Sequence, residues 1–148
     1  MSTMSRSIII DVPVGTVFEF AKDLGTFWSC WPGVALRDVE IKPEGVGTSG
    51  RLYSHFLGIH MEGTVEYTEV VPNERIVAKV SAAGEHPIWV FSFEAVDGGT
   101  KLTAEAQWHV NVPAVGKPIE DMMAKGHEGE AEHWLAAVKH HLEGRAAA

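Results

Sequence analysis

The sequence is short of several things. It has one cysteine, Cys30, so no internal disulfide can form and a reducing compartment is the natural setting. A lone thiol among aromatics reads as a small apolar residue. No long hydrophobic run is present. The N-terminal apolar stretch is only Ile8-Ile9-Ile10, bounded by Arg6 and Asp11. That is too short for a signal peptide and far too short to cross a bilayer, so a cytoplasmic protein without membrane insertion is expected. Basic residues are few and never clustered: twelve Lys and Arg stand against twenty Asp and Glu, for a net charge of −8. Such a surface repels phosphate backbones, which argues against nucleic acid as a partner. Repeats, low-complexity tracts and linkers are lacking too, so 1–148 is read as a single domain.

What is present is a changing hydrophobic period. Residues 5–12 are rich in β-branched types and predict a strand. Pro13 ends it and opens a helix over 14–22, where Val14, Val17, Phe18 and Ala21 recur at helical spacing. Leu24 to Trp31 adds a turn or two before Pro32-Gly33. From 34 to 112 the period is two, punctuated at Gly45 to Gly50, Gly58 to Gly63 (a reversal near His60-Met61), Pro72-Asn73, Gly84 to Pro87 and Asp97-Gly98-Gly99. Five short connections give six antiparallel strands. Segments 62–71, 88–96 and 102–112 each carry an apolar face; 51–59 has apolar residues on both faces, and its register stays open. Pro118 starts a last helix that reaches about Glu143, with Gly144 as its stop.

The apolar stripe of that helix does not hold its phase. Ile119, Met122, Met123 and Gly126 mark one face. Ala131, Trp134, Leu135, Val138 and Leu142 mark another, rotated by roughly a third of a turn. Continuing the first face leads to Glu130, His133, Ala137 and His141. The switch falls at Gly126 and Gly129, the weakest helix formers there. It implies a kink, two halves with different partners, or a helix bowed over a curved sheet.

Catalytic and metal patterns are missing. His127 and His133 are six apart and point away from each other on a helix. Glu130 and His133, at i and i+3, make at most half of a di-iron pattern and read as a solvated pair. No phosphate loop or nucleophile elbow occurs. Neither a metal nor a cofactor is expected. Tyr53, His55, Tyr67 and Glu69 are the polar groups available to a pocket if their faces turn inward.

The order strand, two short helices, six strands, long helix is that of the helix-grip fold. The chain resembles the START/Bet v 1-like (SRPBCC) superfamily, in particular its bacterial members similar to polyketide cyclase/dehydrase and to the G-subunit of carbon monoxide dehydrogenase. The resemblance rests on Asp11-Val12-Pro13-Val14 through Phe18, Trp31-Pro32-Gly33, and Val70-Val71-Pro72-Asn73-Glu74-Arg75. It extends to Phe93-Glu94, then Gly98 to Thr103, and Leu135 to Glu143. It implies an α+β fold in which a curved seven-stranded antiparallel sheet grips the last helix around a cavity for a small hydrophobic molecule, lipid- or polyketide-like. Mapped on this chain, the ligand-facing residues would be Tyr67, Trp89, Phe91, Phe93, Trp108, Ile119, Met122 and Met123, with Phe27 closing one end. Two other functions stay open. A cyclase, aromatase or dehydratase would use Tyr53, His55 and Tyr67. An accessory protein for a larger enzyme would expose Phe27, Trp28 and Trp31 as an apolar patch. A homodimer or a protein partner also stays open.

Overall fold

The computed structural model describes the backbone of residues 2–56, 59–82, 86–108 and 116–147. It describes the side chains there except those of 2, 55–56, 59, 61, 82, 108, 116–128 and 145–147. Strand β1 (Ser2–Ile10) leads into helices α1 (Val14–Lys22) and α2 (Leu24–Ser29). Six strands follow: β2 (Val34–Glu40), β3 (Ser49–Phe56), β4 (Ile59–Val71), β5 (Arg75–Ala82), β6 (Ile88–Val96) and β7 (Gly99–Trp108). Helix α3 (Gly116–Ala147) closes the order. All strands join one antiparallel sheet, in the order β1-β7-β6-β5-β4-β3-β2. The helix-grip α+β architecture is therefore present.

Local chemistry explains the boundaries. Pro13 lacks a donor, but its carbonyl accepts from Thr16 N (3.0 Å) and Val17 N (3.1 Å), starting α1. Asp23 caps α2, accepting from Thr26 N (3.4 Å) and from the Thr26 hydroxyl (2.9 Å). Val96 pairs with Gly99 across the two-residue turn Asp97-Gly98, where Gly98 takes φ 77°. Irregularities in register between Arg37 and Glu40 and between Tyr67 and Glu69 add twist to the sheet.

Four expectations need correction. The first strand starts at Ser2 and stops at Ile10, leaving Val12 buried in the connection. Helix α2 ends at Ser29, short of Trp31, because the residue before Pro32 is pushed out of the helical region. Phe56 pairs with Ile59, so the reversal precedes His60-Met61, which lie inside β4. Gly144 does not stop α3, which runs on to Ala147: the alanines that follow are the best helix formers, and Gly144 is exposed with nothing pressing on it. The helix backbone is also unbroken through Gly126 and Gly129, over a length of about 48 Å at 1.5 Å per residue. Residues 109–112 of the strand expected to reach 112 lie outside the described residues.

The register of the ambiguous segment is settled. Leu52 and Ser54 are buried, whereas Tyr53 pairs with Glu62 on the wet face. The buried face of the sheet then reads as rows of large beside small. Trp89 lies between Ala78 and Ala106, and Phe91 lies between Ile76 and Ala104. The alanines leave room for the rings and for whatever packs above them.

The second half of α3 covers β1, one of the two sheet edges. Arg6 Nε meets Glu132 Oε1 at 3.0 Å, and Lys139 Nζ donates to the Ile9 carbonyl at 2.6 Å. Glu143 Oε2 accepts from Lys139 Nζ (2.7 Å) and from Asp11 N (2.9 Å). The Ile9 carbonyl of the edge strand and the Asp11 amide just beyond it are thus occupied. Lys139 and the Asp11 amide hold the Glu143 carboxyl below the usual carboxylate range. A depressed folded-state pKa contributes stability above the unfolded value of about 4.3, lost as pH falls through the lower folded value. Thermal melts of wild type and Glu143→Gln should therefore differ at neutral pH, with wild type higher, and converge in acid. A difference constant across that range would rule out an electrostatic clamp.

Candidate functional site

Trp134 projects from α3 into the centre of the described core and is fully buried. Its ring centroid lies 4.9 Å from that of Phe27, 5.2 Å from Trp28, 4.8 Å from Trp31, 5.7 Å from Trp89 and 5.2 Å from Phe91. Its indole N–H donates to the Phe27 carbonyl at 2.8 Å, satisfying one of the last carbonyls of α2. Most contacts in the cluster are edge-on or tilted, as ring quadrupoles prefer. Of the expected ligand-facing residues, Phe27, Trp89 and Phe91 sit in this cluster, and Phe93 sits beside it, edge-on to Phe18 at 5.3 Å.

Tyr67 is also buried, and its hydroxyl donates to the Ala21 carbonyl at 2.6 Å, joining β4 to α1. Burial pushes its phenol far above the ordinary range, and the nearby Trp28 indole N–H only partly offsets this. That N–H is itself buried without a well-aligned acceptor among the described residues. Trp108, Ile119, Met122 and Met123 lie in β7 and in the first half of α3, and their side chains are outside the described residues.

The polar candidates do not converge. Tyr53 is on the opposite face from Tyr67, with the Arg37 guanidinium 5.4 Å from its ring centroid. Glu69 pairs with Arg75 at 2.5 Å. His55 pairs with His60 in the strand ladder, its side chain outside the described residues. Cys30 is half-buried, donates weakly to the Thr26 carbonyl at 3.5 Å, and has its thiol pushed up by burial, away from nucleophilic behaviour. Among the described residues, no three His, Cys, Asp or Glu side chains gather as metal ligands, and no helix is long and apolar enough to cross a membrane.

The apolar patch required of an accessory protein is absent. Phe27, Trp28 and Trp31 are 0%, 4% and 6% exposed, because Trp134 and β6 cover them. A cleft of ≈ 660 Å³ does open between α1, α2 and the end of α3, lined by Val12, Phe20, Glu19, Asp23 and Leu142 among others. A smaller depression of ≈ 300 Å³ lies on the outer face beside Arg51, Tyr53 and Glu62. Among the described residues, none of the expected ligand-facing ones lines either cleft.

Sequence reasoning missed one pairing at the margin of the cluster. The Trp31 indole N–H donates to Glu130 Oε2 at 2.9 Å, across 99 positions of sequence. Glu130 is half-buried; burial raises its carboxyl above the usual range, while Trp31 and His133 pull the other way. Its only signal in the sequence was its place in line with Ile119, Met123 and Gly126 on α3.

The family model described as polyketide cyclase / dehydrase and lipid transport matches residues 1–143. The chain belongs to that family. As an SRPBCC member it shares its fold with solved structures at low identity. One is a protein from Thermus thermophilus (TM-score 0.81, 16% identity, covering 97% of this chain and 99% of that one). Another is a START superfamily protein from Mycobacterium smegmatis (0.79, 16%, 96% and 97%). A third is the Zhui aromatase/cyclase from a Streptomyces species (0.74, 21%, 98% and 95%). No curated protein matches the sequence. Membership supports a domain that binds a hydrophobic ligand.

Two substitutions test what holds the core of this family member together. Trp134→Ala should cost about 3–5 kcal/mol in urea unfolding, by cavity formation. Tyr67→Phe should cost about 1–2 kcal/mol, because the Ala21 carbonyl loses its buried donor. An unchanged Tyr67→Phe midpoint would show that this bond contributes nothing.

Proposed function

We propose that the chain, as a single domain and without a cofactor, binds a small lipid- or polyketide-like molecule between the inner sheet face and the first half of α3. One observation carries this reading. The buried positions of the second half of α3, Ala131, Trp134, Leu135, Val138 and Leu142, belong to the core. The stripe formed by Ile119, Met122 and Met123 falls on a different side of the helix and needs a different apolar partner. Methionines suit a ligand of variable shape, because the thioether is flexible and polarizable. Burial of the ligand would supply the affinity, at roughly 25 cal/mol per Å². Binding is favoured over cyclase chemistry because Tyr53 and Tyr67 occupy opposite faces of the sheet and have no common point of action.

Mild purification followed by native mass spectrometry should reveal a lipid-like mass on the chain. The emptied protein should take up the neutral dye Nile red at one site with a blue shift. Met123→Lys should weaken that uptake at least about tenfold, since a charge would enter an apolar site, with little change in melting temperature. Bare protein with no probe uptake would refute the reading.

A further inference from the structure

Glu130 occupies the point where the two stripes of α3 meet. On an unbroken helix, Ile119, Met123, Gly126 and Glu130 fall along one face, within an arc of about 60° at roughly 100° per residue. Glu130 is therefore the first polar residue reached along the stripe assigned above to the ligand, and it lies where the aromatic cluster begins. Its carboxylate is fixed from the cluster side: Oε2 accepts from the Trp31 indole N–H at 2.9 Å. That indole is itself held by Trp89 at 5.1 Å and Trp134 at 4.8 Å between ring centroids, and is only 6% exposed. An exposed glutamate would gain little from such an anchor. Here a half-buried carboxylate is held in one orientation, and no described side chain donates to Oε1.

We infer that Glu130, positioned by Trp31, is the polar end of the ligand site and selects apolar molecules bearing a hydroxyl, alcohol or phenol, over those bearing a carboxylate. The inference rests on the binding site proposed above. A ligand hydroxyl donating to Oε1 would gain a charge-assisted hydrogen bond. A ligand carboxylate would meet a like charge in a site of low polarity. A fatty acid is thereby disfavoured, and a neutral hydroxylated compound is favoured.

Three probes of one shape test this: naphthalene, 2-naphthol and 2-naphthoate, titrated against the full chain by calorimetry and by quenching of tryptophan fluorescence. Wild type should bind 2-naphthol about tenfold more tightly than naphthalene, and 2-naphthoate most weakly. Glu130→Leu should erase the preference for 2-naphthol over naphthalene. Glu130→Gln, close in shape and so less exposed to folding defects, should raise 2-naphthoate affinity by about tenfold. Trp31→Phe should lower the 2-naphthol preference without removing it. If the probes bind and rank alike in wild type and all three variants, Glu130 has no such role and the apolar site stands. If none binds to wild type, the apolar site itself is refuted and this inference falls with it.

Discussion

The fold depends on how one indole is housed. Trp134 enters the sheet's concave side at the place where Ala78, Ala104 and Ala106 withdraw, and there it meets rings from α2 and β6. An aromatic side chain of this size buries about 150–250 Å², worth roughly 5 kcal/mol, and each well-placed ring pair adds about 1 kcal/mol more. Those terms fix the position of α3 along its own axis. The edge contacts to β1, through Glu132, Lys139 and Glu143, then follow from that position.

A helix held at one end by a rigid cluster carries different constraints at its two ends. In the second half Ala131, Trp134, Leu135, Val138 and Leu142 are buried in the core. By spacing along the sequence, Ile119, Met122 and Met123 fall about a third of a turn away from that face. Trp31 and Glu130 stand at the division, one just past the end of α2 and the other on α3.

Much of this was legible beforehand. The period-two and period-3.6 patterns located α1 over Val14–Lys22 and β6 over Ile88–Val96, and gave the strand count with antiparallel order. Asp97-Gly98 announced its hairpin because the turn requires φ > 0 and glycine supplies it. Errors came where local propensity is weak or overridden. Gly144 looked like a stop, although the residues beyond it favour helix strongly enough to continue. The segment around Tyr53 carried apolar side chains on both faces, so its period could not say which face was inside.

Periodicity decides which side of an element is dry, and the sequence by itself determined that for most of the strands, for α1 and for the second half of the last helix. It does not decide what a dry side meets. Phe27, Trp28 and Trp31 looked equally suited to a pocket wall or an exposed patch, and only the arrival of Trp134 turned them into core. Tyr67 looked like a pocket hydroxyl, but it donates its hydrogen bond to the Ala21 carbonyl. Such contacts join residues 46 to 107 positions apart, and no local pattern encodes them. They arise because a buried donor must find an acceptor and a buried ring must fill a gap, and both conditions are set only when distant segments pack together.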